Sequence, residues 1–423
     1  MKNFFNKLTL MFQDRLLRKR VFFTLVALVI FRVLASIPIP GIDQSKIAQF
    51  FSSNEFLGML NVFAGGGLSQ FSIIMLGVVP YITGSIIMQL LTVVFPKFKE
   101  MYQEEGEAGR RKFAQYGRLL TVPLAFIQGF SLIKIFENQQ IIAQLSNTEI
   151  FTNLLIITAG SVLLMWIGEL ISEYGVGNGV SLIIFAGIVS VVPAKIGQLL
   201  FTFDPSQIFV YLAFAVISLI VIWGVVVITE AERPIPVTYA RQVRGNRVYG
   251  GTSTYLPLRV NNAGVMPIIF ASSLLQFPQL ILRFLQSASN DVVRNISTWI
   301  LNILANGWFY GIAYFLLVFA FTYFYTAVTF DPHQIAENFQ KNGAFIPGVR
   351  PGKSTSEYIS NILTRLTLVG AVFLGIIAVS PFIVKNFSGI ASISVGGTAL
   401  LIVVSVVIEL IKKVDAQLSI REY

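Results

Sequence analysis

Ten long apolar runs restrict the fold of this chain more than any other feature of its sequence. They are Val21–Ile37, Phe71–Phe95, Leu119–Phe136, Phe151–Ser172, Val180–Leu200, Ile208–Ile228, Ala263–Arg283, Gly307–Val328, Leu366–Val384 and Val395–Ile411. A helix needs about 20 apolar residues to cross a bilayer, so every run is long enough to span. Charged residues make up only 12% of the chain, against about 25% in soluble domains. The expected fold class is therefore an all-α polytopic membrane protein with ten transmembrane helices.

The first run carries Arg32. A central Arg costs about 3 kcal/mol on insertion, but each Leu, Ile, Val or Phe returns roughly 0.3–0.6 kcal/mol. The surrounding apolar residues outweigh the charge. Ala35-Ser36-Ile37-Pro38 offers no small-x-small cleavage site, and the run is too long for a signal-peptide core, so it is read as a retained span.

Charge placement sets the orientation. With the N-terminus in the cytoplasm, 24 Lys and Arg fall in the N-terminal segment, in the loops after spans 2, 6 and 8, and in the tail. The alternate loops hold five: Lys46, Lys195, Arg283, Arg294 and Lys385. The positive-inside rule then puts both termini in the cytoplasm. Orientation and contact with anionic lipid account for much of this charge. Two basic loops, about 229–262 and 329–365, are longer than orientation needs, and loops of that length are often functional. They read as a cytoplasmic docking surface.

Several chemistries lack their residues. The chain has no cysteine and one histidine, His333, in a polar loop. That leaves little material for a metal site, thiolate chemistry or a His-based catalytic pair. No phosphate-binding G-x-x-x-x-G-K-[ST] loop is present, and Gly175-Val-Gly-Asn-Gly179 is better read as a tight turn between spans. Neither an enzyme nor a cofactor protein is expected. A secondary transporter or lipid flippase of ten spans is the alternative. It would need a charged site or broken helices at mid-membrane, whereas Glu169, Glu230 and Glu409 lie near span ends.

The stretch after the first span, Asn54–Ser72, begins apolar and helix-forming and is then interrupted by Gly65-Gly66-Gly67. It is too short to span and too apolar for a free external loop. Irregular backbone at membrane depth must be buried in protein or face an aqueous cavity. Two readings fit: a short helix on a glycine hinge folded into a cavity, or an interfacial helix on the outer surface.

Eight stretches, met in order among the ten runs, carry a resemblance to the SecY family over essentially the whole chain. They are Ile37-Pro-Ile-Pro-Gly41, Asn61-Val-Phe-Ala-Gly-Gly-Gly67, Leu76-Gly-Val-Val-Pro-Tyr-Ile82, Glu105-Gly-Glu-Ala-Gly-Arg-Arg111, Gly175-Val-Gly-Asn-Gly-Val-Ser181, Leu256-Pro-Leu-Arg-Val-Asn-Asn-Ala-Gly264, Ala344-Phe-Ile-Pro-Gly-Val-Arg-Pro-Gly352 and Gly396-Gly-Thr398. The resemblance implies two pseudo-symmetric five-helix halves, 1–200 (spans 1–5) and 201–423 (spans 6–10), arranged as an inverted repeat around an hourglass pore. It makes the segment at about 56–68 a short plug helix, with Leu57, Leu60, Asn61, Val62, Phe63, Gly65, Gly66 and Gly67 as its residues. The implied function is a protein-conducting channel of the bacterial plasma membrane, open to signal sequences and nascent polypeptides.

Carried over position by position, the pore ring would be Val78, Ile82, Val180, Ile184, Ile269 and Ile402. The pairs Val78/Ile82 and Val180/Ile184 are i, i+4 and share a helix face, although ordinary aliphatic packing explains such spacing equally well. The lateral gate would draw on Gln89, Ser272 and Ser273. Arg350 matches the arginine that the family uses to engage the SecA motor ATPase and the translating ribosome, with Arg241, Arg244 and Arg247 as helpers. SecE and SecG are the implied small membrane partners. In one departure from the family pattern, the turn Glu173–Asn178 carries acidic Glu173 and no basic residue.

Overall fold

The computed structural model describes residues 14–39, 61, 64–68, 70–138, 141–142, 144–201, 208–240, 242–244, 247–249, 253–286, 290–388 and 397–419. In chain order its helices are α1 (Arg15–Ala35), α2 (Val79–Val94), α3 (Pro96–Gln103), α4 (Gly106–Asn138), α5 (Asn147–Tyr174), α6 (Gly179–Phe201), α7 (Ile208–Glu230), α8 (Met266–Leu285), α9 (Asp291–Ala305), α10 (Gly307–Thr329), α11 (Pro332–Lys341), α12 (Lys353–Ser388) and α13 (Gly397–Ser419). The strands are β1 (Glu232–Tyr239), β2 (Gln242–Arg244), β3 (Arg247–Tyr249), β4 (Ser253–Arg259) and β5 (Ala344–Phe345).

Each of the ten apolar runs falls on a helix, and one run is shorter than expected. Phe71–Val78 was read as the start of the second span, but these residues form successive turns and the helix begins at Val79. Pro80 lies in the first turn of α2, where its missing N–H costs nothing and its fixed φ favours initiation. Five stretches among the described residues are long and apolar enough to cross a membrane: Gly106–Asn138, Asn147–Tyr174, Tyr211–Glu230, Gly307–Lys341 and Lys353–Ser380. A sixth arises if Val79–Val94 and Pro96–Gln103, bent by 111°, count as one span.

The chain divides into two compact units. One comprises Met1–Pro205, Ser272–Asn306 and Val406–Tyr423; the other comprises Ser206–Ala271 and Gly307–Ser405. The core of the first unit joins α4 and α5 to the segment between α1 and α2. Leu132, Phe136, Leu154 and Ile157 pack with Ala64, Leu68, Phe71 and Met75, all buried. Phe71 and Phe136 meet at 5.1 Å between ring centroids. The proline-rich exit from α1 is tied down by the same segment. The Ile39 N–H donates to the Phe71 carbonyl at 2.9 Å, and the Ile73 N–H donates to the Ile37 carbonyl at 3.0 Å.

Glycines let the helices of this unit approach closely. A Cβ on Gly179 of α6 would stand only 1.9 Å from the Gly168 carbonyl oxygen of α5. Small residues serve this purpose in membrane helix packing, where no hydrophobic driving force separates helix from lipid. Exposed Phe22, Leu25, Val29, Trp166 and Leu119 give the unit the apolar exterior that lipid requires.

In the second unit the two long basic loops prove to be folded. A three-stranded sheet of order β4-β1-β5 packs on α11 and α12. Its buried face holds Ile235, Val237, Leu258 and Ala344 against Ile359 and Ile362 of α12. β1 and β4 are antiparallel, with Glu232 opposite Arg259 and Thr238 opposite Ser253. The sequence pattern alone predicts loop for these residues.

Candidate functional site

The glycine segment is the most constrained feature of the first unit. Ala64–Leu68 is buried. Gly65 and Gly66 have φ of +69° and +82°, a left-handed geometry that side chains disfavour. The Gly66 N–H donates to the Asn61 carbonyl at 2.8 Å, closing the turn. Two helices press on it. A Cβ on Gly65 would fall 2.4 Å from Cζ of Phe31 in α1, and a Cβ on Gly187 of α6 would fall 2.2 Å from the Gly65 Cα. Arg32 of α1 donates from Nη1 to the Gly65 carbonyl at 3.3 Å. The segment therefore folds against protein rather than lying on an outer surface, which favours the first of the two sequence readings for Gly65, Gly66 and Gly67. Leu57, Leu60, Val62 and Phe63 lie outside the described residues.

The six aliphatic positions divide between the units. Val78, Ile82, Val180 and Ile184 belong to the first; Ile269 and Ile402 belong to the second. Val78 is the residue that precedes α2, and its carbonyl accepts from the Ile82 N–H at 3.0 Å. Val78, Ile82, Ile184, Ile269 and Ile402 are all buried. Val180 is half-buried, and its Cγ2 lies 3.2 Å from where a Cβ on Gly168 would stand, so part of its surface packs on α5.

Gln89 on α2 is half-buried, whereas Ser272 and Ser273 on α8 are buried. Sequence reasoning missed two neighbours in character, Gln128 on α4 and Gln276 on α8. Gln89 Oε1, Gln128 Oε1 and Gln276 Nε2 are each buried without a hydrogen-bond partner among the described residues. An unsatisfied buried polar group costs about 1–3 kcal/mol. The signal was present as lone amides in apolar runs.

Arg350 is exposed on a tight turn before α12. Its carbonyl accepts from Thr355 Oγ1 at 2.8 Å, and Gly352 turns the chain with φ of +94°. The backbone is thus fixed while the guanidinium remains outside. Arg244 and Arg247 are directly opposite in the β2–β3 register. Arg241 lies outside the described residues. Acidic Glu173 lines a groove of about 530 Å³ with Lys19, Arg20, Leu16, Phe23, Leu170 and Tyr174, so basic residues of α1 accompany the turn that lacks its own.

The helices, the glycine segment folded among them and the apolar exterior define a polytopic α-helical membrane protein. The chain belongs to the SecY family, whose model matches residues 72–411. It is 42% identical over 434 residues to the protein translocase subunit SecY of Corynebacterium glutamicum, covering 97% of each chain. The SecY of Thermotoga maritima is 42% identical over 420 residues, with 96% of this chain and 94% of the relative covered. Among solved structures, one concerned with the plug domain of SecY and the closed state of the translocation channel aligns with a TM-score of 0.66 at 21% identity. It covers 96% of this chain and 93% of the other. Sec61 from a canine ribosome-channel complex aligns with a TM-score of 0.62 at 19% identity, covering 96% and 93%. These likenesses show the shared fold.

Proposed function

We propose that the chain is the pore-forming subunit of a protein-conducting channel, passing unfolded secretory polypeptides across a bacterial plasma membrane and releasing apolar segments sideways into lipid. The observation that carries this reading is the buried glycine turn at Gly65–Gly66, wedged between Phe31 and Gly187 in a chain of the SecY family. A turn without side chains, seated by packing and by a hydrogen bond from Arg32, suits a stopper that leaves and returns.

Ten spans in two five-helix halves, 1–200 and 201–423, would form the walls. Val78, Ile82, Val180, Ile184, Ile269 and Ile402 would form the waist. An apolar constriction dewets and so blocks ions and water without charge. Aliphatic side chains also part around a passing peptide without selecting its sequence. The seam at Gln89, Ser272 and Ser273 would open toward lipid. SecE and SecG are the membrane partners of this reading. The SecA motor ATPase and the translating ribosome would dock at Arg350, Arg241, Arg244 and Arg247, with both termini on that cytoplasmic side. Planar, always-charged guanidinium groups suit carboxylates, phosphates and RNA alike. The chain itself then needs no reaction and no cofactor.

The test is site-specific crosslinking in reconstituted vesicles, with a photoreactive residue at Ile82 or Ile184 and a secretory precursor stalled in transit. The precursor should label both positions. Labelling at lipid-facing controls such as Leu25 with none at Ile82 or Ile184 would sink the pore assignment.

A further inference from the structure

We propose that Arg32 is the latch of the plug, holding the hinge at Gly65 against α6 in the sealed channel; this rests on the reading of the glycine segment as plug. An arginine inside the first apolar run needs a reason to be there. It belongs to the last turn of α1, where a cation is favourable beside the free carbonyls of the helix end. Ser36 Oγ already satisfies the Arg32 carbonyl at 3.0 Å. The guanidinium turns instead to the hinge, donating from Nη1 to the Gly65 carbonyl at 3.3 Å.

The geometry around that bond is a clamp. Phe31, the preceding residue, is fully buried and its ring closes on Gly65. Gly187 closes from α6, with room for no Cβ. Val191 lies near Gly66 on the same helix, its Cγ2 3.6 Å from where a Gly66 Cβ would stand, and that Cβ would stand 3.8 Å from Arg32 Nη1. Left-handed Gly65 is thus held through its backbone alone. Such a bond is indifferent to the side chains of the plug, and its donor is a charged group. Moving Gly65 off this seat breaks its hydrogen bond to Arg32 and opens the contacts with Phe31 and Gly187, while neighbouring Ala64 and Leu68 are packed in the core with α4 and α5.

Arg32 is a positioning residue on this account, and its loss shifts the balance between seated and displaced plug. A hydrogen bond to a charged group is worth on the order of a tenfold or greater change in such an equilibrium. The experiment uses the full chain with its partner subunits in planar bilayers and vesicles. The chain has no cysteine, so Ala64→Cys supplies a single thiol at the buried hinge. Arg32→Leu should raise resting ion conductance and accelerate labelling of Cys at position 64 by a membrane-impermeant maleimide by about tenfold or more. Arg32→Lys, which keeps the charge, should fall between. Arg32→Leu also removes a charge from an apolar span, so poor membrane insertion cannot explain a leak. Gly187→Ala presses on the same seat from α6 and should accelerate labelling as well.

Unchanged labelling and conductance in Arg32→Leu would overturn the latch. Deletion of Leu57–Gly67 separates the two ideas. If the deletion leaks while Arg32→Leu stays sealed, the plug stands and the latch falls. If the deletion itself stays sealed, the plug reading fails first.

Discussion

A Cβ on Gly160 would stand 2.0 Å from the carbonyl oxygen of Ile73. The middle of α5 therefore touches the backbone of the segment that leads into α2, with no side chain between them. Backbone cannot yield as a flexible side chain can. Gly160→Ala should destabilise the protein by about 1–3 kcal/mol, the usual cost of overpacking, and Gly160→Val by more. Thermal unfolding in detergent, followed by loss of the monodisperse peak, measures it. An unshifted midpoint in both variants would mean that the contact is looser than described.

The charged pair Arg118–Glu169 joins α4 to α5. Both groups retain some exposure, so the pair contributes modestly, about 1 kcal/mol. Glu169→Ala should lower the melting midpoint by a few degrees. Exchanging the two, Arg118→Glu with Glu169→Arg, should recover part of that loss. A double exchange worse than the sum of its single changes would show that burial of the site, not pairing, decides its energy.

Arg350→Glu should abolish SecA-driven export with little effect on folding, because the turn is held by the Arg350 carbonyl and Thr355 rather than by the guanidinium. Export into inverted membrane vesicles gives the activity, and the melting midpoint gives the control. Thr355→Val, which removes the hydroxyl from that carbonyl, should weaken export less and lower stability more. Normal export in Arg350→Glu would remove this residue from the docking surface.

If the proposed ring is the seal, replacing its residues by polar ones should wet the constriction. Ile184→Asn or Ile82→Asn should raise resting conductance in planar bilayers, while Ile184→Leu should stay sealed. Both isoleucines are buried, so each Asn variant is compared with Leu for yield and melting midpoint. A sealed Ile184→Asn channel of normal stability would count against an apolar seal.

The helices were legible because lipid demands length and apolarity, and Leu119–Phe136 and Phe151–Ser172 lie well inside α4 and α5. The start of α2 was not legible. Phe71–Val78 is as apolar as the helix that follows, and only packing on α4 and α5 bends it into turns. The sheet was hidden by Pro234, Pro236 and Pro257, which argue against strands. In the structure Pro234 lies opposite Pro257, and β5 pairs only with Thr238 and Tyr239 of β1. The prolines thus fall where β1 has a single neighbour and a missing N–H breaks no second ladder. The hinge glycines were visible as a run. Their seat was not, because Phe31, Arg32 and Gly187 come together only through the tertiary fold.

β1 is bonded to β4 along its length and to β5 at its far end, and the Ala240 N–H adds a bond to the Gly343 carbonyl at 2.8 Å. β5 runs on toward the Arg350 turn, and β4 runs on toward Met266 at the head of α8. The two long basic arms are consequently one yoke. A visitor that tugs at Arg350 also strains the root of α8, without laying a hand on it.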